Sequence, residues 1–155
     1  MKVKDVQVVK ILMVRDKTVP LYAYKISNPE DVAKIGYELF KNADREYFAV
    51  ICLSRDNTIN AVNIVSQGSL SSAGFHPREV LKPAILANAS SICLLHNHTS
   101  LNVLPSRDDI AVTSRLIQAA NLLQIQILDH VIVAEDKFYS LKEHDGLMFK
   151  KSIGD

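Results

Sequence analysis

Two histidines and an aspartate are spaced along the chain so that they could hold one metal ion. His96 and His98 directly follow the apolar run SICLL at residues 91–95, which is typical of a buried strand. Side chains two positions apart on a strand project from the same face, so the two imidazoles should lie side by side. Ten residues separate His98 from Asp109, which is enough for a loop that folds back and returns Asp109 to the end of the strand.

The chemistry of this set indicates zinc. Two imidazoles and one carboxylate form three ligands and leave the fourth tetrahedral position for water, as in catalytic rather than structural zinc sites. The sequence therefore predicts a zinc hydrolase whose metal ligands are His96, His98 and Asp109.

A structural interpretation of the same residues stays open beside the catalytic one. Histidines at a strand end often bond to backbone, and Ser106 with Asp109 has the S-x-x-D spacing of a helix capping box. For Ser106 the two interpretations are compatible, because a helix cap can orient its neighbours towards a metal.

A hydrolytic zinc site also needs a group that takes a proton from the attacking water. Glu46 begins a predicted strand that could lie beside the histidine-bearing strand, whereas Asp108 should point away from Asp109 on its helix. Spacing alone does not choose among the candidates, which are Glu46, Glu79, Asp108 and Asp129.

The surrounding pattern predicts alternating helices and strands. Helix signals begin at Asn28 as an N-cap with Pro29 in the first turn, at Pro77 with a bend at Pro83, and at Ser106. The second helix should run to about Ala89 and the third to about Leu123. Strands are expected at residues 46–54, 58–67, 91–95 and 125–134, with 138–140 as a short continuation. This pattern predicts a mixed α/β (α+β) layer domain with hairpins at both ends.

Length and composition set the class of protein. The 155 residues suit one domain, which we place at residues 28–155 after an N-terminal strand and arm at residues 1–27. The 18 basic and 17 acidic residues give a net charge of +1, so nucleic-acid binding is disfavoured. No run approaches the ~18 apolar residues of a membrane span.

Cys52 and Cys93 lie in apolar stretches without a CxxC, and with no export signal they indicate a reducing, cytoplasmic setting.

The segments HNHTS and PSRDDIAVTSRL resemble the signature of RadC-type proteins, HNHPSG followed by PS..D….T. These proteins belong to the JAB/MPN superfamily of JAMM metalloproteases, whose pattern is an upstream glutamate, H-x-H, seven residues, serine, two residues and aspartate. His96, His98, Ser106 and Asp109 stand in that register. Further similar segments lie within residues 45–142, namely REYFAVICLS, SQGSL, HPREVLKPAILANAS and LDHVIVA.

The resemblance implies a fold, a reaction and two further site residues. The fold would be a curved mixed β-sheet flanked by helices, and the reaction zinc-dependent hydrolysis by a metallopeptidase or isopeptidase. Glu46 matches the glutamate that activates the attacking water, and Ser106 matches the serine that assists the oxyanion. Thr99 and Leu101 replace the usual Pro and Gly, so we expect a loop of different shape over the site. The helix-hairpin-helix region of many RadC proteins has no counterpart here, which predicts a short form.

Two other functions are weighed against the peptidase. A metal-dependent hydrolase acting on nucleic acid is disfavoured by the net charge, although the family context leaves a link with DNA metabolism open. A non-catalytic MPN binding module would have lost its ligands, whereas this sequence retains them. A peptide or protein substrate is expected, and an exposed apolar opening strand could pair two protomers.

The remaining histidines and two arginines carry weaker signals. His130, beside Asp129 in a strand, is interpreted as a partly buried core histidine, with a role behind a zinc ligand as the alternative. His76 is expected to be a helix cap or a solvated ring, and His144 carries no signal. Two arginines near the site, Arg107 and Arg115, are assigned to a solvated helix face, although they could steer an acidic substrate.

Overall fold

A computed structural model describes residues 6–21, 24–68 and 76–150, and the alternation of helices and strands expected from the sequence is present there. The elements in chain order are α1 (Pro29–Leu39), β1 (Tyr47–Leu53), β2 (Ile59–Gln67), α2 (Pro77–Leu86), β3 (Ser91–Asn97), α3 (Arg107–Leu122), β4 (Gln126–Ala134), β5 (Lys137–Ser140) and α4 (Leu141–His144). Within these ranges, none of the helices has the length and apolar character needed to span a bilayer.

The strands form one mixed sheet with the order β2–β1–β3–β4–β5. β1 pairs antiparallel with both β2 and β3, β3 pairs parallel with β4, and β5 returns antiparallel along β4. The histidine-bearing strand β3 is therefore the central strand. The predicted mixed α/β fold with helices flanking the sheet is confirmed.

Helix ends are set by the residues that the sequence indicates. Asn28 Oδ1 accepts from the Asp31 backbone N–H at 3.0 Å, and Asp31 Oδ2 accepts from the Asn28 N–H at 3.2 Å, which completes a capping box for α1. Pro83 lies inside α2, as expected. That helix ends at Leu86 rather than at Ala89, because Asn88 adopts a left-handed conformation with φ 50°.

Alternation along β1 and β3 builds a separate apolar core on each face of the sheet. The face covered by α1 receives Ala49, Ile51, Leu53, Cys93 and Leu95. The face covered by α2 and α3 receives Phe48, Val50, Cys52, Ile92 and Leu94. The next even-numbered positions of the chain after Leu94 are His96 and His98. The period of two therefore sends both imidazoles to the α3 face.

The N-terminal strand expected within residues 1–27 does not form in residues 6–21, where the chain is neither helix nor strand. Its apolar side chains, among them Val8, Ile11 and Val14, are largely exposed. A strand is stabilised by ladder hydrogen bonds to a neighbour. Among the described residues, the first such contact along the sequence is the antiparallel bridge between Lys25 and Thr58. Residues 1–5 lie outside the described residues, and the division between residues 27 and 28 stays a prediction.

Helix α1 approaches the sheet closely at Gly36. A Cβ at this position would lie 3.0 Å from Leu95 Cδ1 and 3.1 Å from both Val133 methyl carbons. We expect Gly36→Val to lower the free energy of unfolding by about 1–3 kcal/mol through overpacking. Urea denaturation measures the change, with Lys34→Val on the exposed side of the same helix as the control. Equal stability of the two variants would contradict this close approach.

Candidate metal centre

The three predicted ligands converge at the carboxyl end of β3. His96 Nε2 and His98 Nε2 lie 3.0 Å apart, and the Asp109 carboxylate oxygens lie 3.3 Å from His96 Nε2 and 3.4 Å from His98 Nε2. One ligand atom from each residue falls within a 4.8 Å span. His96 and Asp109 are buried, whereas His98 borders solvent with 13% of its side chain exposed. This His-His-Asp group could bind a metal ion.

The loop after β3 determines the orientation of His98. The backbone of His98 continues the sheet, since its N–H donates to Val133 O at 3.0 Å. Its ring Nδ1 lies 2.7 Å from Asn102 O, which can only accept, so Nδ1 carries the hydrogen. The Asn102 side chain in turn accepts from the Leu104 N–H at 3.0 Å and holds the loop in a turn. Nε2 of His98 is therefore the ring nitrogen that faces His96 and Asp109.

The nitrogen of His96 that faces away from the metal group contacts another histidine, His130. His96 Nδ1 lies 2.8 Å from His130 Nε2, and His130 Nδ1 lies 2.6 Å from Thr113 Oγ1. Thr113 Oγ1 also donates to the backbone carbonyl of Asp109 at 2.6 Å. His130 is fully buried on β4, with Phe48 packed against its ring and that of His96. The alternative role for His130 behind a metal ligand therefore has a direct contact to support it.

Asp109 is placed by the start of α3. Ser106 is the N-cap, and its hydroxyl accepts from the Asp109 N–H at 3.1 Å while Asp109 Oδ2 accepts from the Ser106 N–H at 2.7 Å. The Ser106 hydroxyl also donates to Asp109 Oδ2 at 2.7 Å. The predicted capping box is confirmed. It fixes the Asp109 carboxylate in the first turn of the helix, where it faces both histidines.

The electrostatics of the group favour a cation between the three side chains. Burial would raise the pKa of Asp109, but hydrogen bonds from His98 and Ser106 and the nearby His96 together lower it, so the carboxylate stays ionised. A hydrogen bond with Asp109 raises the pKa of His98. Burial lowers the pKa of His96 well below its ordinary value. Two imidazoles and an ionised carboxylate, with the His96 ring neutral, match the nitrogen and oxygen ligands of divalent transition metals.

The side chain of Asn97 holds the backbone on both sides of Glu46. The Asn97 amide accepts from the Tyr47 N–H at 2.7 Å and donates to Arg45 O at 3.0 Å, one contact on each side of Glu46. The backbone carbonyl of Glu46 also accepts from the Gly68 N–H at 2.7 Å. Asn97 is 6% exposed and lies between the two ligand histidines in the sequence. The sequence did not single it out, because its role depends on a partner segment about fifty residues earlier in the chain.

A cleft of about 420 Å³ opens at the metal group, and some but not all of the four candidate proton acceptors line it. Glu46 and Asp108 line the cleft together with His98, Ser106 and Asp109. Asp129 is buried and accepts from the Ser140 hydroxyl, the Lys142 N–H and its neighbour's N–H. Glu79 lies on α2 and pairs with Lys82 at 3.1 Å. The structure thus brings two of the four carboxylates to the cleft.

The remaining residues that the sequence singled out lie elsewhere. His76 is the exposed N-cap position of α2 and makes no side-chain cap hydrogen bond. His144 stacks on Tyr139 and contacts Ser140 O at 2.8 Å. Arg107 and Arg115 are both exposed on α3. Leu101 is 65% exposed on the loop after β3, and the expected change in the shape of this loop stays a prediction.

Comparison with known proteins shows the family of this chain. A family model described as the RadC-like JAB domain matches residues 26–147. The chain belongs to this RadC family. Similar proteins are the UPF0758 proteins of Caldanaerobacter subterraneus subsp. tengcongensis (45% identical, covering 77% of this chain and 52% of the relative), Desulfitobacterium hafniense strain DCB-2 (44%, covering 80% and 55%) and Rubrobacter xylanophilus (47%, covering 77% and 52%).

The RadC-like chain spans about half the length of the curated relatives it matches. The names of these relatives specify no reaction. Membership of the family is therefore established by sequence, whereas the reaction has to be argued from the side chains of the site.

The convergence of the three ligands predicts stoichiometric metal binding. We expect about one divalent metal ion per wild-type chain, and none in His96→Ala or Asp109→Ala, because two ligands do not retain a catalytic-type ion. Plasma mass spectrometry on untagged protein measures the content. His76→Ala, which removes an exposed histidine, is the matched control and should retain the metal. Metal retained in both ligand variants would show that it binds elsewhere.

The contacts of Asn97 predict a cost in stability. Asn97→Ala removes both amide hydrogen bonds to the segment around Glu46, and we expect the free energy of unfolding to fall by about 1–3 kcal/mol. Urea denaturation measures this. Asn63→Ala, at an exposed position of β2, should have little effect. Equal stability of the two variants would show that the two amide hydrogen bonds of Asn97 do not contribute to the free energy of unfolding.

Proposed function

We propose that this RadC-family chain is a zinc-dependent hydrolase of the JAMM metallopeptidase or isopeptidase type, which cleaves an amide bond in a peptide or protein. The observation that carries the proposal is the convergence of His96, His98 and Asp109 at one end of a cleft that Glu46 also lines. A structural zinc site would be closed by four protein ligands, whereas this group supplies three and borders the cleft.

Zinc is the metal that the donor set favours. Two neutral imidazole nitrogens and one carboxylate oxygen are common zinc ligands, and a zinc ion held by them would polarise the scissile carbonyl and lower the pKa of water. His96 would hold the ion from the buried side and His98 from the side open to solvent. Asp109 would neutralise one of its two positive charges.

We assign Glu46 the movement of protons during the reaction. Its side chain is half-buried at the cleft, and hydrogen bonds from Asn97 and Gly68 hold the backbone that carries it. Glu46 would take a proton from the attacking water and return it to the amine that leaves. Asp108 lines the same cleft but is exposed on the first turn of α3.

We assign Ser106 the stabilisation of the oxyanion that forms at the carbonyl. The hydroxyl lines the cleft, and it has a single hydrogen, which is donated to Asp109 Oδ2. Donation to an oxyanion therefore requires the hydroxyl to rotate away from Asp109. The capping bond from the Asp109 N–H to Ser106 Oγ can persist during this rotation, because it uses an oxygen lone pair.

The charge of the cleft supports a peptide over a nucleic acid as substrate. The acidic residues that line it are Glu46, Asp108 and Asp109. With one divalent ion bound, these three carboxylates would leave a net charge of about −1 in the cleft. This charge repels the phosphates of a nucleic acid, whereas a peptide tolerates it. We further propose that the protein works in the cytoplasm, since Cys52 and Cys93 are free and buried.

Replacement of the proposed proton carrier tests the reaction. Glu46→Gln keeps the shape of the side chain but cannot accept the proton, so we expect hydrolysis of a fluorogenic peptide library to fall about 10²–10⁴-fold. Zinc content and stability should match the wild type. Asp108→Asn, in the same cleft, should retain most of the activity and is the matched control.

Each other outcome of this experiment identifies a different error. A larger loss in Asp108→Asn than in Glu46→Gln would transfer the role to Asp108. A wild-type protein that binds zinc but cleaves no peptide of the library would favour the non-catalytic binding module.

A further inference from the structure

The hydrogen bonds behind His96 have one consistent assignment of hydrogens at their far end. The backbone carbonyl of Asp109 can only accept, so the Thr113 hydroxyl uses its single hydrogen on the 2.6 Å contact to that oxygen. Thr113 Oγ1 must then accept at its second contact, which is 2.6 Å from His130 Nδ1. His130 therefore carries a hydrogen on Nδ1.

The other nitrogen of His130 faces His96. Both ring nitrogens of His130 are engaged, one with Thr113 and one with His96, and the side chain is fully buried. A second hydrogen on this ring would place a positive charge in the core without a carboxylate bonded to it, which is costly. His130 Nε2 is therefore a lone pair, and it accepts from His96 Nδ1–H across 2.8 Å.

We infer that Thr113 and His130 are positioning residues that keep His96 in its Nδ1–H tautomer, the form whose Nε2 can bind a metal ion. This inference rests on the proposed metal site. The hydrogen on Nδ1 leaves the Nε2 lone pair pointing towards His98 and Asp109, where the three ligand atoms meet.

The opposite tautomer shows why the hydroxyl matters. Without an acceptor at Thr113, His130 could carry its hydrogen on Nε2 and donate it to His96 Nδ1. The hydrogen of His96 would then move to Nε2, the atom that faces His98 at 3.0 Å, and would occupy the position of a metal. The Thr113 hydroxyl, which is remote from the cleft, thus decides whether Nε2 of His96 presents a lone pair or a hydrogen to the metal position.

The same contacts form a closed path between two metal ligands. The path runs from His96 through His130 and Thr113 to the backbone of Asp109, and Thr113 stands one turn after Asp109 on α3. These hydrogen bonds link the first turn of α3 to both β4 and β3. Movement of the helix that displaced Asp109 would therefore also disturb the hydrogen bond that orients His96.

Zinc affinity in a pair of variants tests this role. Thr113→Val keeps the shape of the side chain and removes the hydroxyl, and we expect about 10–100-fold weaker zinc binding, as is usual when a partner behind a metal ligand is lost. Thr113→Ser keeps the hydroxyl and should bind zinc as the wild type does. Affinity is measured by competition with a fluorescent chelator. Urea denaturation of the metal-free proteins measures folding separately.

Nitrogen-15 NMR of the histidine rings reads the tautomers directly in the wild type, so it does not depend on the folding of any variant. Nδ1–H forms of both His96 and His130 in the metal-free and zinc-loaded protein would support the inference. An Nε2–H form of His130, or equal zinc affinity of Thr113→Val and the wild type, would overturn it.

The experiment separates this inference from the proposed function. A wild-type protein that binds no zinc would refute the zinc hydrolase, while the ring tautomers of the metal-free protein would still decide the roles of Thr113 and His130. Weak binding in both Thr113→Val and Thr113→Ser would assign the loss to packing and would refute the role of the hydroxyl.

Discussion

The site depends on the period of two along β3, a central strand that is covered on both faces. Ile92 and Leu94 enter the core beneath α2 and α3, and the same face then receives His96 and His98. Because β3 is paired on both sides, by β1 and β4, its register cannot slip without moving every one of these side chains to the wrong core. The position of the imidazoles is therefore stabilised by the whole sheet rather than by the site alone.

The first turn of α3 provides both a helix cap and a candidate metal ligand. The Ser106–Asp109 capping box starts α3, and the carboxylate that completes the box also faces the two histidines. The same geometry thus closes the helix cap and places Asp109 in the candidate metal group. The arrangement carries a constraint, since the hydroxyl proposed for the oxyanion is already bonded to a ligand carboxylate.

Much of this architecture follows from local pattern. The strands β1 to β4 and the start of all three predicted helices lie within a few residues of the sequence-based expectation, because they depend on alternation and on capping residues such as Asn28 and Ser106. Two departures involve non-local or conformational effects. The end of α2 is set by the left-handed Asn88, and the expected opening strand has no ladder partner in residues 6–21.

By itself the sequence determined the fold class, the family and the three candidate ligands, since each depends on residue types at fixed short spacings. Only the tertiary structure decided which carboxylates reach the cleft, that Asn97 clamps the segment around Glu46, and that His130 and Thr113 stand behind His96. These contacts join residues 17 to 52 positions apart. No periodicity encodes them, because they arise only when β1, β3, β4 and α3 are packed together.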